Sequence, residues 1–283
     1  MPAVVDAHHH VWDLSVRDQD WITGDQLNPI RRDFTLDDLA PLARKSGVTA
    51  TVLVQTVTVE EETPEFLALA HDSELVAGVV GWADLTRPDI GDALARLAEL
   101  PGGRHLKGIR HQVQGEPDPE WLLRPDVRRG LEAVAAAGLV YDLVVLPNQL
   151  PACAAAAAAL PGLTFVLDHC GKPPIASGVT EPWTDDLRAL AALPNTVCKL
   201  SGLVTEADWA TWTPGALRPY ADTVLDAFGP DCVMFGSDWP VCNLAATYEQ
   251  VIEAAMELTG SLTAAERDAV FGGTATRVYR LST

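Results

Sequence analysis

Thr49–Gln55 reads TATVLVQ and Val76–Trp82 reads VAGVVGW. Both are continuous runs of β-branched and small apolar residues rather than alternations of apolar and polar ones. A strand of that kind has both faces covered, as in a parallel sheet packed under helices. Runs of comparable length recur outward along the chain at Ala3–His8, His105–His111, Leu139–Val145, Thr164–His169, Thr196–Ser201 and Cys232–Ser237. Eight strands in regular alternation with helical segments, then a helical tail from about Thr263, predict an α/β protein. The architecture expected is a (β/α)8 TIM barrel with a C-terminal helical tail, residues 1–283 forming one domain. The length suits it, since such a barrel takes about 250 residues. An open doubly wound sheet shares the alternation.

The intervening segments carry helix punctuation. Thr35 is placed to cap a helix with Asp37 and Asp38 in its first turn. Pro88 and Pro125 stand at first-turn positions, each followed by an aspartate. Gly47, Gly102 and Gly138 follow helical segments where a left-handed cap fits. Ala152–Ala159 reads as a barrel helix packed through small residues. The long loop Arg17–Arg32 after the first strand is an ordinary rim loop or a lid.

A net charge of −19, from 39 acidic and 20 basic residues without a basic run, argues against nucleic acid and membrane as partners. Five cysteines without a C-x-x-C pair read as reduced thiols rather than a disulfide framework or a zinc knuckle. With neither a signal-like N-terminus nor a membrane-length apolar run, the expected location is cytoplasmic and the partner a small-molecule substrate.

In a barrel the loops after the strands converge, so polar residues where strands stop are the candidates for chemistry. Asp6-Ala-His8-His9-His10 ends the first strand, and alternation puts His8 and His10 on one side with His9 on the other. His169 ends the sixth strand and Asp238 the eighth, which neighbours the first once a barrel closes. A carboxylate beside two imidazoles can bind a metal or accept a proton from water. Ser237 points away from Asp238, which argues against a serine nucleophile. Arg110 and His111 on strand four and Lys172 after strand six are candidates to grip hydroxyls or a carbonyl. Lys199, Asp84 and Asp142 read equally as site or structural residues. Trp82 and Trp239, with Trp12, offer indole faces to a sugar ring or pack under loops.

With these residues in place, the chain resembles the amidohydrolase superfamily, and within it the branch of sugar-lactone hydrolases and pyrone-dicarboxylate lactonase. The matching stretches are Val5–Trp12 (VDAHHHVW), Lys107–Pro117 (KGIRHQVQGEP), Leu167–Pro173 (LDHCGKP), Cys198–Leu203 (CKLSGL), Phe235–Cys242 (FGSDWPVC) and Val270–Tyr279 (VFGGTATRVY). They run in order over almost the whole chain. The resemblance implies that His8, His10 and His169 surround a substrate carbonyl or a metal, and that Asp238 is the base for water. Strand four shows no lysine of the kind that bridges two metals, and strand five offers Tyr141-Asp142 rather than a histidine. That leaves one zinc ion, held by His8, His10 and Asp238, or no metal.

The function expected is hydrolysis of a neutral aldonolactone, L-fuconolactone-like, to the aldonic acid. Asp238 and His169 are the catalytic residues, and Arg110, His111, Lys172, Trp82 and Trp239 bind the substrate. A dicarboxylate lactone would want more cations than strand-end Arg110, although Arg17, Arg31 and Arg32 lie on a rim loop. A metal-dependent decarboxylase of the same superfamily and a non-catalytic binding barrel are the alternatives.

Overall fold

The computed structural model describes residues 4–282. Eight parallel strands form one sheet in sequence order: β1 Val4–His9, β2 Val48–Val54, β3 Val76–Gly81, β4 Leu106–His111, β5 Val140–Leu143, β6 Phe165–Leu167, β7 Thr196–Leu200 and β8 Val233–Phe235. The predicted strands all form. Ala3, where the first was expected to start, lies outside the described residues. β8 returns to β1 through two hydrogen bonds at their ends: Asp238 N–H donates to the His8 carbonyl (2.8 Å), and His10 N–H donates to the Trp239 carbonyl (2.7 Å). The sheet is thus a nearly closed barrel, and an open doubly wound sheet is set aside.

Helices α1 Leu36–Lys45, α2 Glu62–Asp72, α3 Ile90–Glu99, α4 Pro125–Ala136, α5 Leu150–Ala159, α6 Trp183–Ala191, α7 Leu203–Glu206, α8 Pro214–Phe228 and α9 Tyr248–Leu258 alternate with the strands. The tail is α10 Ala264–Asp268 and α11 Thr274–Val278, joined by a π turn. Thr35 caps α1 in a capping box with Asp38, and Thr263 caps the tail in the same way. Pro125 opens α4, but Pro88 lies before α3, where Asp89 takes the cap position. Gly47 and Gly138 adopt the left-handed cap conformation after α1 and α4. Gly102 is left-handed too, but it leads into a short turn before β4 rather than closing α3 directly. The five cysteines are free. Among the described residues no helix is long and apolar enough to cross a membrane.

Two apolar layers result. Outward-facing strand residues such as Leu53, Ile109, Phe165, Leu200 and Phe235 pack against the helices. A second cluster fills the barrel interior with Val5, Ala7, Val52, Val80, Val140, Val166, Val197 and Met234, plugged by Val278, Tyr279 and Leu281 of the tail. Above this aliphatic layer the interior turns polar: Arg110, Asp142, Asp168 and Lys199 are all buried there. Burial of so many charges is tolerable only where each is paired.

Candidate active site

Three local features aim the site residues. In β1 the three-residue step from Asp6 to His9 faces only two residues of β2, a one-residue bulge. The bulge lets Val5 and Ala7 fill the interior while His8 and His10 face the same space above them. Gly236 allows the close approach of β8, because a Cβ there would lie 2.7 Å from His8 Cβ. Past β6 the chain makes a left-handed turn through His169, Cys170, Gly171 and Lys172, with φ of 53°, 55°, 69° and 52°. Non-glycine residues rarely hold such angles, and where they do the surrounding structure imposes it. Gly202 faces this turn; a Cβ on it would be 2.7 Å from the His169 ring.

The imidazoles and the carboxylate converge. His8 Nε2 lies 3.2 Å from His10 Nε2, and Asp238 Oδ1 is 3.4 Å from His10 Nε2, 3.8 Å from His8 Nε2 and 3.9 Å from His169 Nε2. His10 Nδ1 donates to the Val54 carbonyl (2.7 Å), which turns its Nε2 toward the centre. His169 Nδ1 is hydrogen-bonded to Ser201 Oγ at 2.9 Å. His9 points away, to Thr51 Oγ1, as alternation predicted. Ser237 likewise turns aside, its hydroxyl accepting from Trp239 N–H.

Beneath the centre lies the polar floor. Asp168 pairs with Arg110 (2.9 Å), Lys199 (3.0 Å) and His8 Nδ1 (3.3 Å). Lys199 also donates to Asp142 (2.6 Å), which accepts from Tyr279 Oη as well (2.7 Å). Lys199 is therefore a fully buried, carboxylate-paired residue, not a solvated one, and Asp142 belongs to this floor rather than to a substrate contact or a loop. Asp84 is a loop residue that accepts from Thr86.

Burial holds His8 well below its ordinary pKa of 6.5 and pushes His169 down to about 4, although Asp238 and Asp168 pull His169 upward. Both rings are neutral near pH 7. For Asp238 burial alone would raise the pKa; nearby His169, the hydrogen bond with His10, and Lys172 outweigh it and hold the group below its ordinary 3.8. An ionised carboxylate thus faces three imidazoles.

A cavity of about 220 Å³ opens over this centre. His10, His169, Asp238 and Arg110 line its base, with His8 buried just below; Lys172, Trp21, Gln112, Gln114, Glu206 and Trp209 form its walls. Six of the nine predicted site residues therefore meet here. Three do not. His111 neighbours Arg110 on β4 and so faces the opposite side, stacked on Trp121 and hydrogen-bonded to Glu116. Trp82 donates to His111 there, and Trp239 is buried behind β8 against Phe34. Trp12 packs on Trp21 and Phe34.

The indoles at the cavity are Trp21, from the loop after β1, and Trp209, from the segment after α7. Trp21 lies in the Arg17–Arg32 loop, which the sequence marks as a rim loop or a lid without assigning Trp21 a site role; Trp209 and Glu206, well past a strand end, escaped sequence reasoning. Gln112 was within reach, two residues beyond Arg110 on the same face. None of the rim arginines joins the cavity: Arg17 pairs with Glu65, Arg31 with Asp18, and Arg32 lies over the Phe34 ring. A larger groove of about 560 Å³, between the loop after β1 and α1–α2, contains none of the converging residues.

Comparison with known proteins agrees with the fold. The L-fucono-1,5-lactonase of Burkholderia multivorans is 42% identical over 98% of this chain and 96% of its own length, and that of Burkholderia ambifaria is 40% identical over 98% and 95%. A crystal structure of a Burkholderia multivorans amidohydrolase with bound zinc superposes with a TM-score of 0.93, at 41% identity and 99% coverage of both chains. The amidohydrolase family pattern matches residues 5–281, and the chain belongs to that family.

Proposed function

We propose that this protein hydrolyses a neutral aldonolactone of the L-fucono-1,5-lactone type to the open aldonic acid. The observation that carries the proposal is the ionised, buried Asp238 set among three imidazoles at the base of a cavity walled by two indoles. The likeness to two L-fucono-1,5-lactonases at 40% identity or more supports it and disfavours decarboxylation.

Asp238 Oδ1 accepts a proton from a water molecule as the water oxygen bonds to the lactone carbonyl carbon. The ring C–O bond then breaks, and the alkoxide leaving group takes the proton back from Asp238. Base assistance of this kind accounts for about 10^2–10^4 in rate. Arg110 and Lys172 place positive charge beside the developing oxyanion. His169, oriented by Ser201, borders the reacting carbon, and Trp21 and Trp209 cover the apolar faces of the sugar ring.

The donor set also fits one zinc ion. Tetrahedral bonds of about 2.0–2.2 Å put neighbouring ligand atoms roughly 3.3–3.6 Å apart. His8 Nε2, His10 Nε2 and Asp238 Oδ1 stand 3.2, 3.4 and 3.8 Å from one another. Zinc held there would polarise the carbonyl and acidify a bound water. A second candidate set, His8, Asp168 and His169, suits a cation poorly because Lys199 and Arg110 already occupy Asp168. Five free thiols fit a reducing compartment such as the cytoplasm.

A panel of neutral aldonolactones followed by proton release, with metal content measured before and after chelation, tests the proposal. Turnover of L-fucono-1,5-lactone with at most one zinc per chain is expected. No turnover of any aldonolactone would refute the function, and two tightly bound metals per chain would refute the single site.

A further inference from the structure

Each cation on the cavity wall already has a carboxylate. Arg110 is held by Asp168 and by Gln55, whose side-chain oxygen accepts from Arg110 Nε at 2.9 Å. Lys172 is held across the mouth by Glu206, with Nζ 3.2 Å from Oε1 and both side chains about a quarter exposed. Lys172 reaches this place from the left-handed turn after β6, and Glu206 ends the short helix after β7. Formal charges on the lining cancel: Arg110 and Lys172 against Glu206 and Asp238.

This balance matters because the proposed reaction changes the charge of what the cavity holds. A neutral lactone enters. Once the ring ester is cleaved by water, the new carboxylic acid loses its proton to solvent and an anion remains. A lysine without a partner beside that carboxylate would retain the product, and would equally attract lactones that carry a free carboxylate.

On the lactonase reading, we infer that Glu206 is a specificity residue: by occupying Lys172 it keeps the cavity from holding carboxylates, so that neutral lactones are taken in and the anionic product is let go. Glu206 touches neither the reacting carbon nor the base. Its effect lies in which charge state of ligand the cavity favours.

Calorimetric binding to the full-length protein tests this with two probes: the aldonate formed from L-fucono-1,5-lactone, and the neutral alditol with the same hydroxyl pattern. Glu206→Gln is expected to bind the aldonate roughly two- to fivefold more tightly than wild type, the scale of a partly exposed charge pair. The aldonate-to-alditol ratio should rise by the same factor, and the gain should vanish in Glu206→Gln/Lys172→Met. Glu206→Ala, expected to show the same gain, serves if the glutamine variant fails to fold. Equal aldonate affinity in wild type and variant, an equal gain for the alditol, or a gain that persists without Lys172 would each overturn the inference. Absence of lactone turnover by the wild type would strike the lactonase reading alone, since the binding comparison does not depend on turnover.

Discussion

Asp168 in the polar floor and Asp238 at the β8–β1 seam are both buried aspartates next to strand ends, and both approach His8. Their surroundings differ. Asp168 meets two permanent cations, Lys199 and Arg110; Lys199, then His8, then Arg110 overcome burial to keep it well below its ordinary pKa. Among the described residues, the basic side chains within 4 Å of the Asp238 carboxylate are imidazoles. A carboxylate neutralised by fixed cations is locked in place, and losing it strands those cations in the interior. One surrounded by imidazoles remains free to take a proton or an ion. Burial and residue type alone do not separate structure from chemistry here; the partners do.

Substitution at each position should separate the two regions cleanly. Asp238→Asn keeps the size and an oxygen but removes the base, and turnover should fall by roughly two to four powers of ten. Near-normal kcat in the folded variant would collapse the distinction. Because Asp238 stays ionised below its ordinary 3.8, the wild-type kcat/KM should hold as pH falls toward about 4, where His169 takes up a proton, and loss of the base should add to the decline only below about pH 3.8. Asp168→Ala should appear first in stability, with a loss of about 3–5 kcal/mol by denaturant unfolding as Lys199 and Arg110 lose their shared partner. A loss under 1 kcal/mol would mean that the floor is not locked.

The smallest expected effect belongs to Tyr279→Phe, which removes one hydrogen bond to Asp142 and should cost about 1 kcal/mol. The variant also sharpens the floor's pH behaviour. Burial raises Asp142 to about 6 despite Lys199. Between pH 3.8 and 6 the folded chain therefore binds a proton that the unfolded chain lacks, and this group's contribution to stability decreases as pH rises through that window. Asp168 works the other way: its contribution is whole above 3.8 and is lost as pH falls below it. Losing the Tyr279 bond, which favours the ionised form, should move the Asp142 window upward in a pH series of unfolding curves.

Much of this arrangement was legible in the sequence. Continuous apolar runs such as TATVLVQ give the parallel strands, and their terminal polar residues give His8, His10, His169 and Asp238, because strand ends face the loops. Legibility failed where direction depended on more than position. Adjacent residues on one strand cannot share a face, so Arg110 and His111 part company. The β1 bulge that turns His8 and His10 inward above Ala7 leaves no signature in composition. Glu206 and Trp209 come from a segment whose course depends on how the chain leaves β7, and neither lies within a strand-end motif. The pairing of Lys199 with Asp142 and Asp168 joins residues up to 57 positions apart, which no local pattern encodes.

The seam between β8 and β1 also imposes an order in time. The residues that hydrogen-bond across it, His8 and His10 on one side and Asp238 and Trp239 on the other, are separated by almost the entire polypeptide. A nascent chain that has emerged through β7 already carries all three imidazoles, the paired floor lysine and part of the cavity wall, but not Asp238. On the proposed mechanism the base therefore arrives only with the last strand, and a translation product interrupted before it is expected to be inert.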